Sequence, residues 1–192
     1  MRITLTTFAK SKVIVVALVC AITLTVQASD DKKAKAQEEV QNVANKTLQQ
    51  LYKAQPAAKA AVQHAAGYAV FNNMGVKILL AGSGKGKGFA ANNKTKKVTY
   101  MKMIEVQAGL GIGVEKFSVV FDNDKVLDNF INSGWEFGGQ ASAAAKTATK
   151  GGAMSGAASV SDGVWMYQLT EKGLAAEITA TGTKYYKDDD LN

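Results

Sequence analysis

Between Gly75 and Lys102 the chain carries seven lysines, Lys77, Lys85, Lys87, Lys94, Lys96, Lys97 and Lys102, and no Asp or Glu. Ammonium groups without local carboxylates, set among glycines in AGSGKGKG (81–88), are suited to holding phosphate or another anion. The run resembles a phosphate loop only superficially. No start position gives GxxxxGK[ST] or GxGxxG, so nucleotide binding is not expected.

Other reactive residue types do not assemble into a catalytic group. His64 is the sole histidine, so it cannot form an imidazole pair for a metal, and a helix position explains it. Asp122, Asp124 and Asp128 have part of a calcium-loop spacing without its central glycine and closing glutamate. Turn and capping roles explain them. Glu105, Glu115 and Glu136 could meet only through tertiary pairing, and nothing in the sequence requires it. No catalytic residue, metal site or cofactor is expected.

Residues 1–28 read as a secretory signal peptide: Arg2, Lys10 and Lys12 precede an apolar run from Val13 to Val26, and small Ala28 offers a cleavage point. The expected location is therefore periplasmic or secreted. Cys20 is not expected to be lipidated, because bulky Val19 precedes it. With Cys20 removed, no disulfide or thiolate chemistry remains.

The chain has 192 residues and a formal net charge of +7. Residues 29–192 suffice for one domain with its own core, helical over 29–66 and β-rich over 67–192. Basic charge concentrates in residues 75–102, whereas residues 103–192 are acid-rich. Such polarity favours an anionic partner. Nucleic acid is not expected, since export removes it and no aromatic stacking motif accompanies the lysines.

Val40, Val43, Ala44, Thr47, Leu48, Leu51 and Tyr52 recur at three- and four-residue spacing, predicting an amphipathic helix over 31–54. Lys32, Lys33, Lys35, Lys46 and Lys53 on it could add to anion binding. Pro56 opens a second, alanine-rich helix that ends at Gly67. Short β-type runs follow at 68–71, 76–82, 97–109, 116–121, 164–169 and 174–180. A short helix capped at Asp124 and closed by Gly134 interrupts them.

Period-two reading from Val76 puts Gly82, Gly84, Gly86 and Gly88 on one face and Lys77, Lys85 and Lys87 on the other. Four alternate glycines imply strong bending or close approach by another element. Residues 138–159 are rich in small residues and read as two thin strands or a loop. Trp165, Met166 and Tyr167 read as a core strand, with a lipid-accessible face as the alternative. The expected fold is α+β, with a mainly antiparallel, strongly curved β-sheet or barrel-like sandwich, N-terminal helices and one inserted short helix.

LYKAQPAAKA (51–60), GYAVF (67–71), AGSGKGKG (81–88), FINSGWEFG (130–138) and KGLAAEITATGTK (172–184) occur in that order. Together they resemble the SYLF-domain family, over nearly the whole chain after the leader. The resemblance implies a non-enzymatic module that binds negatively charged lipids through basic residues and an N-terminal amphipathic helix. Anionic phospholipid is therefore the first expected partner. Alternatives are an acidic envelope protein or polyanionic polymer meeting the basic patch, or a lipid-like ligand carried within the sheet.

Overall fold

The computed structural model describes residues 11–78, 81–107, 111–137, 154–170, 173–175 and 183–192, with side chains described over 30–73, 85–104, 116–134, 154–170, 173–175 and 183–192. The chain divides into two compact units, Met1–Glu38 and Glu39–Asn192. In the first, the described residues belong to helix α1, Ser11–Ala54, and Lys32 and Lys35 are exposed while Lys33 is half-buried. Among the described residues no helix is long and apolar enough to cross a membrane.

In the second unit α1 buries Val40, Ala44, Thr47, Leu48 and Leu51, the stripe its periodicity predicts. Helix α2, Ala57–His64, begins directly after Pro56, whose φ of −57° and ψ of −33° are already helical. It stops three residues before Gly67. Ala65 turns extended, with its N–H still bonded to Ala61 O.

The strands are β1 (Gly67–Ile78), β2 (Ala81–Asn92), β3 (Val98–Gln107), β4 (Gly111–Phe121), β5 (Trp135–Phe137), β6 (Ala158–Ser161), β7 (Val164–Thr170), β8 (Gly173–Leu174) and β9 (Thr183–Lys187). They pair in the order β5-β9-β3-β2-β1-β4-β7-β6, with β8 beside β7. Every pairing is antiparallel, and the sheet curls into a half-barrel. The expected α+β class and curvature hold.

Strands β1 and β2 differ most from the sequence reading. The runs at 68–71 and 76–82 are not separate strands, because β1 passes straight through Asn72 and Asn73 with β2 on one side and β4 on the other. Pairing on both edges overrides the low strand propensity of asparagine. The chain then reverses between Ile78 and Ala81, so the alternation read continuously from Val76 to Phe89 breaks there. Most of the stretch 138–159, and residues 176–180 of the run 174–180, lie outside the described residues.

One sheet face carries Ala69, Phe71, Ala90, Met101, Met103, Phe117, Val119, Phe121, Val164, Met166 and Tyr185, which pack with Leu127 and Phe130. Those two belong to helix α3, Asp124–Ser133. Phe130 lies 4.9 Å from the Phe121 ring centroid and 5.4 Å from that of Tyr185, distances suited to offset aromatic contact. Asn123, rather than Asp124, caps α3, its Oδ1 accepting from the Val126 N–H at 3.0 Å. Gly134 ends the helix at φ +68°, where a Cβ would sit 3.0 Å from Tyr185 O.

The alternate glycines are where this core approaches most closely. A Cβ on Gly86 would lie 2.5 Å from Met103 Cγ, and one on Gly88 would lie 2.0 Å from Val70 O and 2.6 Å from Phe71 Cδ1. Bare backbone there admits the large side chains of neighbouring strands. On the other face α1 is fixed by hydrogen bonds from Gln41 Nε2 to Tyr100 OH and from Lys116 Nζ to Gln50 Oε1 at 2.6 Å. Trp165, Met166 and Tyr167 are all buried, so β7 is a core strand.

Candidate functional site

The fold separates the candidate lysines into two groups. Lys94, Lys96 and Lys97 occupy the β2–β3 hairpin tip, and all three are exposed. Val98, next to them, is the exposed large hydrophobic residue among the described residues, at 36%. Asn92 Oδ1 accepts from the N–H groups of Lys94 and Thr95 at 2.9 and 2.8 Å, and Lys96 takes a left-handed φ of 60°.

Two asparagines anchor this tip to the helices behind it. Asn93 Nδ2 donates to Val62 O and Ala65 O at 2.7 and 2.9 Å, satisfying carbonyls at the end of α2. Asn92 Nδ2 donates to Asp124 Oδ1 at 2.9 Å. The tip lysines therefore stand on a fixed turn.

Lys85, Lys87 and Lys102 lie elsewhere, on the sheet face that α1 crosses. Register aligns Tyr186, Lys102, Lys87, Asn72, Lys116 and Leu169 in one row across β9, β3, β2, β1, β4 and β7. Adjacent strands are about 4.8 Å apart, so like charges at Lys102 and Lys87 face one another directly. Lys85 is two residues further along β2. Lys77 is opposite Gly82 in β1, and its side chain is outside the described residues.

Lys102 is not free of acid, although the sequence around it is. Its Nζ is 2.7 Å from Asp188 Oδ1 and 2.9 Å from Asp190 Oδ2. Those hydrogen bonds, Asp188 first and Asp190 second, hold its ammonium well above the ordinary lysine range. Hydrogen bonding and charge from Lys102, with a further contribution from Lys87, lower the Asp190 carboxyl. Lys85 and Lys87 are exposed and form no ion pair with described residues.

Beside this row a cleft of about 430 Å³ opens between α1 and strands β1–β3 and β9, lined by Glu39, Val40, Val43, Asn72, Lys85, Gly86, Lys87, Lys102, Met103, Ile104 and Tyr186. Asn72 Oδ1 is buried there without a hydrogen-bond partner. Lys46 and Lys53 are exposed along α1.

The remaining polar candidates have structural surroundings. His64 is exposed at the end of α2, and Asp122 Oδ2 accepts from Trp165 Nε1 at 3.1 Å. Glu105 of β3 and Glu115 of β4 are kept apart by β2 and β1, while Glu136 pairs in register with Lys184. No group of three His, Cys, Asp or Glu suited to a metal occurs among the described residues.

Sequence reasoning missed Asn72, Glu39, Ile104, Tyr186 and the Asp188–Lys102 pair. The acid-rich C-terminal half was the available signal for the last of these. It needed the β3–β9 pairing to become specific.

These features define the class: an α+β domain built on a curled antiparallel sheet, with a basic hairpin and a cationic, partly apolar cleft on the α1 side. Residues 104–192 match the family described as Ysc84: Las17-binding protein actin regulator, and this part of the chain carries the Ysc84/SYLF domain. The resemblance read from the sequence blocks holds. It is also 34% identical over 156 residues to Beta cell expansion factor A of Aeromonas veronii, an alignment covering 79% of this chain and 57% of that protein. The chain thus spans little more than half of that relative's length. All seven candidate lysines precede the residues matched by the family model.

Proposed function

We propose that the chain is an exported, non-enzymatic protein that associates peripherally with anionic phospholipid headgroups, its first contact being the β2–β3 hairpin tip. The observation that carries this reading is the fixed display of Lys94, Lys96 and Lys97 beside exposed Val98. Each lysine near an anionic bilayer is worth about 1 kcal/mol, so the three together contribute about 3 kcal/mol. That corresponds to roughly a hundredfold in affinity. The family match and the leader-like N-terminus support the same reading, and Lys46 and Lys53 offer added charge.

Co-sedimentation with phosphatidylglycerol-containing and pure phosphatidylcholine vesicles tests it. Binding is expected only to the anionic vesicles, weakening as salt rises. Changing Lys94, Lys96 and Lys97 to Glu should abolish pelleting. Equal pelleting with neutral vesicles, or full pelleting of the triple variant, rejects the assignment.

A further inference from the structure

We propose that the α1–sheet cleft is a second site, separate from the hairpin, that holds one molecule of a single-chain anionic amphiphile whose head carries a hydroxyl beside its charge, as a lysophospholipid does. The cleft's volume of about 430 Å³ lies at the small end of ligand pockets, which run from about 300 to about 1,000 Å³. That size favours one acyl chain over two. Val40, Val43 and Ile104 supply apolar wall, and Lys85 and Lys87 supply the cations.

Asn72 makes the site more specific than grease and charge. Its Oδ1 is buried with no donor, a costly state for a polar atom, and a hydroxyl on the ligand head would satisfy it. In register Asn72 is paired with Lys87, so one head can present its anionic oxygen to Lys87 and its hydroxyl to Asn72. Lys102 is already engaged by Asp188 and Asp190. Glu39 also lines the cleft, and its carboxylate disfavours a second negative charge. A monoanionic head fits best.

Calorimetric titration of the chain with lysophosphatidylglycerol, kept below its micelle threshold, tests the assignment. A saturable one-to-one isotherm is expected, with glycerol phosphate and dodecyltrimethylammonium each at least about tenfold weaker. Val43→Trp fills the cleft and Lys85→Gln with Lys87→Gln removes its cations. Each variant should bind about tenfold or more weakly while still pelleting with anionic vesicles, a cooperative melt confirming its fold. If Val43→Trp does not melt cooperatively, Ile104→Trp serves the same purpose from the opposite wall.

Asn72→Ala should weaken lysophosphatidylglycerol yet leave dodecyl sulfate, which lacks the hydroxyl, unchanged. Conversely, the hairpin triple variant should lose vesicles and retain lysophosphatidylglycerol. Absence of one-to-one binding, undiminished binding by both tryptophan variants, or glycerol phosphate matching the full amphiphile overturns the proposal. Loss of vesicle binding alone would reject only the hairpin reading.

Discussion

Asp188 shows how one carboxylate changes the meaning of a lysine. Its side chain is only 2% exposed, against 29% for Lys102, and the Asp190 N–H also donates to it at 3.2 Å. Removing the ammonium would leave a buried charge poorly compensated. Lys102→Met should therefore destabilise the protein by about 2–3 kcal/mol, the usual scale for stripping a charged hydrogen-bond partner from a buried acid. Urea unfolding measures it. Adding Asp188→Asn should recover part of the loss, since the two side chains act as a unit. Additive losses would show that they do not. The same pairing makes Lys102 a structural cation first, and leaves Lys85 and Lys87 as the exposed ammonium groups of the cleft.

At the scale of elements, the glycine alternation in β2 carried the most readable geometry. The sequence implied close approach along Gly82–Gly88, and the contacts at Gly86 and Gly88 are that approach. Gly88→Ala drives a Cβ to 2.0 Å from Val70 O, an atom of the neighbouring strand that cannot rotate away. The expected cost is about 3 kcal/mol, at the upper end for overpacking, read from thermal or urea unfolding. A loss below about 1 kcal/mol would mean β1 and β2 part easily there. What could not be read was long-range pairing. The α1 stripe and α3 are local patterns of three- and four-residue spacing, so they were legible. Strand β9 is five residues, and only its pairing with β3 and β5 brings Asp188 to Lys102. Likewise the β2–β3 hairpin splits a lysine run that is continuous in sequence into a tip, at the turn, and a cleft, along its two strands.

For the whole molecule, the titrating groups act in one direction at alkaline pH. Burial pushes the Tyr167 phenol up to about 12, burial raises Tyr68, and burial followed by the charge of Tyr68 raises Tyr52. Lys102 is raised by its hydrogen bonds to Asp188 and Asp190. A group whose folded pKa lies above its unfolded value contributes stability in full below the unfolded value. That contribution falls as pH climbs through the folded value. The window for the tyrosines thus opens near the ordinary phenol value of 10.0 and extends to about 12. Stability against urea should be flat on the neutral side of that window and fall steeply inside it, with tyrosinate absorbance rising together with the loss of helix signal. Tyr167→Phe, which cannot ionise, should make the decline shallower whatever it does to stability at neutral pH. An unchanged slope would remove Tyr167 as a contributor and leave the alkaline transition to Tyr52, Tyr68 and the Lys102 pair, for the last of which Lys102→Met provides the matching comparison.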